Sequence, residues 1–236
     1  MKGGTALAAE ALGSLLLAAT VVGSGVMPER LAGGNLAVAL LANTGATVAV
    51  LATLIALLGP LSGAHFNPAV SLVQGVRGKL SWRKVAGYVA VQIGGCCIGV
   101  LLAHAMCDLP WLQTSIRKRA GWSQWPAEAV ATFGLLLVIL GHQRRKDAPW
   151  MVAGWIGAAY WFTASTSFAN PAITIARSLS DTFAGIRPLD VPGFILAQLV
   201  GAGVALWVAR HLFVGMHAAV SEQARAPVRT QAEGRS

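Results

Sequence analysis

Ser62-Gly63-Ala64-His65-Phe66-Asn67-Pro68-Ala69-Val70 and Thr166-Ser167-Phe168-Ala169-Asn170-Pro171-Ala172-Ile173 are the two stretches on whose reading the fold turns. Asparagine is among the best helix N-caps. Proline is favoured at the first helical position, where its missing N–H is an orphan anyway. Both stretches therefore read as helix starts, with Asn67 and Asn170 as caps, Pro68 and Pro171 at the first position, and Ala69 and Ala172 after them. Each follows a long apolar run, and the segments 61–77 and 165–180 are too short or too polar to cross a bilayer. Re-entrant half-helices are the expectation. One Asn-Pro-Ala is an ordinary cap; two in matching places of a repeat carry far more weight.

The repeat extends well beyond those tripeptides. Ala9-Glu10-Ala11-Leu12 returns as Ala127-Glu128-Ala129-Val130, and Gly87-Tyr88-Val89-Ala90-Val91-Gln92 as Gly193-Phe194-Ile195-Leu196-Ala197-Gln198, in the same order around the Asn-Pro-Ala pairs. Apolar runs at about 5–27, 34–58, 85–106, 125–142, 149–167 and 191–214 are each near the roughly 20 residues needed to span lipid. Three spans fall in each copy, an odd number, so the second copy sits upside down relative to the first. Inverted repeats of this kind place their working site near the midplane, between the copies. The fold class expected is an all-α integral membrane protein of six transmembrane helices plus two half-helices. It forms one domain over 1–217, with halves at about 5–115 and 122–215, and a disordered cytoplasmic tail over 218–236.

Composition agrees with lipid as the solvent. Of the 236 residues, 55% are hydrophobic and only 11% charged, against about a quarter charged in soluble domains. The net charge of +9 does not point to nucleic acid, because the basic residues are sorted among loops. With the N-terminus inside, Lys2, Arg77, Lys79, Arg83, Lys84, Arg144, Arg145, Lys146, Arg210, Arg225, Arg229 and Arg235 lie in the cytoplasm. Arg30, Arg117, Lys118, Arg119, Arg177 and Arg187 lie outside, a division of twelve to six. The positive-inside rule then puts both termini in the cytoplasm, with Arg117-Lys118-Arg119 as the exception. The opening run also resembles a signal peptide, but the recurrence of Glu10 as Glu128 makes it the first span. Cys96, Cys97 and Cys107 have no metal-ligand spacing and read as packing residues.

Two half-helices entering from opposite faces would bring their N-termini together, each carrying roughly half a positive charge. Asn67 and Asn170 would offer N–H donors there, turning single-file water and opposing cations. The extended leaders would add carbonyl acceptors. A carboxylate within a span needs a partner. Glu10 and Glu128 are read as braces for the bent loops, with proton coupling as the functional alternative. His65 is expected to help fix the first loop, and His104, His142, His211 and His217 read as interfacial. No catalytic constellation, zinc-site spacing or cofactor motif is present in the sequence, so an enzyme is not expected.

The run Ser62 to Val70 resembles the first signature of the aquaporin, or major intrinsic protein, family, and the similarity covers essentially residues 5–215. That resemblance implies a right-handed bundle of six helices and two half-helices, assembled as a homotetramer with one pore per subunit. It also implies where a selectivity filter would lie: Thr47 in the second span, Ala158 in the fifth, Ser167 in the second loop, and the position after Asn-Pro-Ala. Most members carry arginine at the last of these. Here it is Ile173, and the arginine follows four residues later as Arg177. Small or aliphatic filter residues imply a wide, weakly charged constriction; the alternative is that Arg177 reaches back, or that the offset is wrong by one residue. The run Phe168 to Ser178 also resembles a bacterial branch associated with arsenic resistance, which implies arsenite as candidate cargo.

The function expected is passive passage of water and small neutral solutes, glycerol-like polyols and arsenite among them, through an inner-membrane channel. An ion-coupled secondary transporter is the main rival, since broken helices in inverted repeats serve both classes; a non-conducting scaffold is the third.

Overall fold

A computed structural model describes residues 3–142 and 146–213; the expected tail and His217 lie outside the described residues. The elements run α1 (Gly3–Leu31), α2 (Leu36–Ser62), α3 (Pro68–Val76), α4 (Trp82–Met106), α5 (Gln124–Gly141), α6 (Ala148–Phe162), α7 (Pro171–Arg177) and α8 (Val191–Leu212). Six are the expected spans, and α3 and α7 are the half-helices. Their order, three spans and one half-helix in each half, is the repeat read from the sequence.

Five helices are long and apolar enough to cross a membrane. The remaining one, α6, has 15 residues, a rise of about 22 Å, and it ends at Phe162 where the sequence predicted a span to 167. The backbone leaves the helix at Thr163 (φ −104°, ψ 135°), and Thr166, Ser167 and Ala169 then take φ of 58°, 50° and 48°. Those left-handed turns are incompatible with a helix and form the leader into α7. The first loop does the same at Gly63, Ala64 and Phe66, with φ of 93°, 50° and 48°.

Close helix pairs build the frame, α1 against α4 and α5 against α8. Small residues permit the approach, as is usual where lipid supplies no hydrophobic drive between helices. A Cβ on Gly95 would fall 2.5 Å from the Ala11 carbonyl oxygen, and one on Gly201 2.1 Å from that of Ala129. Gly95 and Gly201 stand three residues after the repeat landmarks Gln92 and Gln198, and Ala11 and Ala129 one residue after Glu10 and Glu128, so one crossing is built twice. The repeat is looser elsewhere: the Phe66 ring fills the place a Cβ of Gly13 would take, where the second copy has Ala169 and Ala131, both fully buried. Large apolar side chains such as Leu12, Leu41, Leu57, Ile98 and Leu196 remain exposed around the outside, as a lipid-facing surface requires.

Candidate conduit between the half-helices

Asn67 and Asn170 cap their half-helices as the sequence predicts. The Asn67 side-chain oxygen accepts the Ala69 N–H at 2.9 Å, and that of Asn170 accepts the Ala172 N–H at 3.0 Å and the Ile173 N–H at 3.3 Å. Pro68 and Pro171 occupy the first turns. Each amide nitrogen then crosses to the other loop: Asn67 Nδ2 donates to the Ala169 carbonyl at 2.7 Å, and Asn170 Nδ2 to the Phe66 carbonyl at 2.8 Å. A carboxamide has two N–H donors. One locks the two loops together, and one is left for whatever occupies the space beside them.

Glu10 and Glu128 hold the loops from behind. Glu10 Oε1 accepts Ser62 Oγ at 2.6 Å and the His65 N–H at 2.9 Å, and Oε2 accepts the Phe66 N–H at 2.7 Å and Gln92 Nε2 at 2.8 Å. Glu128 accepts the Phe168 and Ala169 N–H groups, both at 2.8 Å, and Gln198 Nε2 at 2.6 Å. Both acids are fully buried. The two glutamines complete the brace, since Gln92 Nε2 also reaches Ser71 Oγ at 3.0 Å and Gln198 Nε2 reaches Thr174 Oγ1 at 2.8 Å. Sequence reading had Gln92 and Gln198 only as repeat landmarks; their cost within a span, which demands a partner, was the available signal. His65 Nδ1 lies 3.0 Å from Ser71 Oγ, and its ring packs edge-on to Tyr88 at 5.3 Å.

A cavity of about 290 Å³ runs past both asparagines. One wall is apolar, built from residues such as Leu17, Leu51, Leu135 and Val152, and the other is formed by the loops from Gly63 to Asn67 and Ser167 to Asn170. Gln74 and His142 mark one part of the lining, and Thr47, Ser167, Ile173 and Arg177 are brought together in it as well. Ala158 is not. It is exposed on the outside of α6, because Val152, Ile156 and Tyr160, spaced at four residues, form the stripe that faces the cavity. At about 100° per residue, Ala158 points roughly 200° away from Ile156 and Tyr160. Counting back from Asn170 chose the wrong face of α6, since an offset taken through the non-helical leader 163–169 does not report how the helix is turned. Tyr160 lines the cavity from this helix, with its hydroxyl 3.3 Å from Thr47 Oγ1.

Ser167 is among the lining residues, and its buried Oγ has no protein hydrogen-bond partner. Arg177 is 4% exposed; its Nε donates to the Ala184 carbonyl, and its guanidinium carbon lies 3.4 Å from the Phe168 ring centroid. His104 differs from expectation. It is fully buried rather than interfacial, with Nδ1 3.0 Å from the Trp111 carbonyl and Nε2 2.9 Å from Ser180 Oγ, where it joins α4 to the loop that follows α7.

A model of the family described as Major intrinsic protein matches residues 2–163. The chain belongs to the major intrinsic protein family. The match stops before the second Asn-Pro-Ala, the half in which Ile173 and Arg177 depart from the commoner pattern. Among relatives, the chain is 55% identical over 161 residues to Aquaglyceroporin AqpS of Rhizobium meliloti (strain 1021), covering 67% of this chain and 69% of that one. It is 30% identical over 183 residues to a probable glycerol uptake facilitator protein of Thermotoga maritima, covering 65% and 78%. The X-ray structure of the aquaglyceroporin from Plasmodium falciparum superposes with a TM-score of 0.71 over 91% of this chain and 98% of that one, at 19% identity, which establishes the shared fold. This major intrinsic protein is an integral membrane protein and a passive channel for water and small solutes, not an enzyme.

Proposed function

We propose that the channel is broadly selective, passing water, glycerol-like polyols and neutral arsenite, As(OH)3, through the cavity beside Asn67 and Asn170. The observation that carries this reading is Ile173, an aliphatic side chain lining the cavity where a filter arginine commonly stands. Thr47, Tyr160, Ser167, Ile173 and Arg177 form the constriction in this reading, offering hydroxyls to a solute that itself carries several. Arsenite is uncharged near neutral pH, so it meets the two half-helix ends without the barrier they set against cations. The names of the Rhizobium and Thermotoga relatives support the glycerol part of this reading. The channel is placed in a bacterial cell membrane with both termini in the cytoplasm and the Arg177 end outward, as a homotetramer. Ion coupling is not favoured, because the buried carboxylates it would use, Glu10 and Glu128, are occupied by loop N–H groups.

The test is Ile173→Arg, which restores bulk and a strongly hydrated charge. Uptake of glycerol and arsenite into proteoliposomes should fall more than that of water. An equal fall for all three, or none, would remove Ile173 from the filter.

A further inference from the structure

Arg119 is in the segment between α4 and α5 and is absent from the cavity lining, yet its side chain is tied to the same structure that holds Arg177. Its Nε donates to the Gly185 carbonyl at 2.8 Å, Nη1 to that of Ser165 at 3.2 Å and Nη2 to that of Phe183 at 3.2 Å, and its backbone N–H donates to Asp190 at 2.8 Å. Arg177 takes the carbonyl between two of these, that of Ala184. The tripeptide 183–185 is thus gripped carbonyl by carbonyl, from alternate guanidinium groups. Both also meet one ring: the guanidinium carbons of Arg119 and Arg177 lie 5.0 and 3.4 Å from the Phe168 centroid, and Phe194 packs edge-on to it at 5.2 Å.

No carboxylate pairs with either guanidinium among the described residues. Burial, and then neighbouring Arg117, bring Arg119 down to about 10, which leaves it charged at neutral pH. Two like charges around one aromatic ring repel each other, and the carbonyl fork of Arg119 fixes one of them in place. The other, Arg177, has only Nε engaged with protein, so its terminal nitrogens remain as donors at the cavity beside the unpartnered Ser167 hydroxyl.

We infer that Arg119 is a positioning residue for solute selection: through Phe168 and the 183–185 carbonyls it holds the Arg177 guanidinium at the conduit. This rests on the reading of Arg177 as part of the constriction. It explains why Arg117-Lys118-Arg119 breaks the charge pattern of the loops, since the third of these serves the pore. A lysine could not replace it, because a single ammonium cannot span three carbonyls as a planar fork does.

The experiment measures urea-to-water and glycerol-to-water permeability ratios in proteoliposomes for wild type, Arg119→Ala, Arg119→Lys, Arg177→Ala and the double alanine variant, with thermal unfolding of each. Arg119→Ala should shift the ratios in the direction of Arg177→Ala, by about fivefold, and should add little in the Arg177→Ala background, as expected of coupled neighbours. Arg119→Lys, which keeps the charge and is the milder change for folding, should shift them part of the way. Unchanged ratios in either Arg119 variant, an unchanged ratio in Arg177→Ala, or an equal Arg119 effect with and without Arg177 would overturn the inference. Wild-type exclusion of glycerol would count against the wide conduit alone, and the urea ratio would still read Arg119.

Discussion

Asn67 and Asn170 each donate to the backbone of the other's loop, at 2.7 and 2.8 Å, so the two half-helices meet through a reciprocal clasp. Aspartate at either position would retain the capping oxygen and lose the crossing donor, leaving a carboxylate facing a carbonyl. Asn67→Asp or Asn170→Asp should cost about 1–3 kcal/mol in stability, the usual penalty for a buried group left unpaired. In protein that still folds, the added negative charge should weaken cation exclusion, read as ion leakage beside solute flux. Native stability with complete ion exclusion would contradict the clasp.

Glu10 and Glu128 differ in how fully their oxygens are used. Glutamine substitutes a donor for one oxygen, and a loop N–H then loses its acceptor; alanine frees them all. Glu128→Gln and Glu10→Gln should each destabilise by about 1–3 kcal/mol, with alanine clearly worse at both sites. Thermal unfolding in detergent reads the order. Glutamine variants of native stability whose flux had lost a dependence on the pH gradient would instead identify a coupling carboxylate.

The helix crossings give a packing test. Gly201→Ala would drive a methyl into the Ala129 carbonyl, a backbone contact that no side-chain rotation relieves. Overpacking commonly costs about 1–3 kcal/mol, and the loss should fall at the upper end or prevent folding. Gly203→Ala, whose Cβ meets nothing within 4 Å, is the control and should unfold at the wild-type temperature.

Much of this arrangement was legible in the sequence because it is local or repeated. Asn-Pro-Ala caps a helix by its own chemistry, and paired landmarks in order made the inverted repeat countable. What failed depended on backbone paths between landmarks. Ala158 was placed by an offset from Asn170, but a count through the left-handed residues Thr166, Ser167 and Ala169 does not report which face of α6 a residue takes, and the face at the cavity carries Tyr160. A four-residue stripe of Val152, Ile156 and Tyr160 was readable beforehand. Arg119 was not, since its partners lie 46 to 66 residues away in sequence and its neighbours Arg117 and Lys118 look alike in a loop.

The exchange of Ala158 for Tyr160 is itself testable. Ala158→Val, on an exposed face, should leave the glycerol-to-water ratio unchanged. Tyr160→Ala removes a ring and a hydroxyl from the cavity wall and should raise the ratio severalfold, a change of about 1 kcal/mol in relative barrier. The reverse pattern in stopped-flow swelling would restore Ala158 to the filter.

The account's central claim is passive, broad conduction, and reconstituted wild-type protein tests it most directly. Fluxes of water, glycerol and As(OH)3 into proteoliposomes would be followed with and without imposed proton and sodium gradients. All three should pass above empty liposomes, at rates linear in the solute gradient and indifferent to either ion. Exclusion of both larger solutes, or flux that requires a proton or sodium gradient, would contradict it.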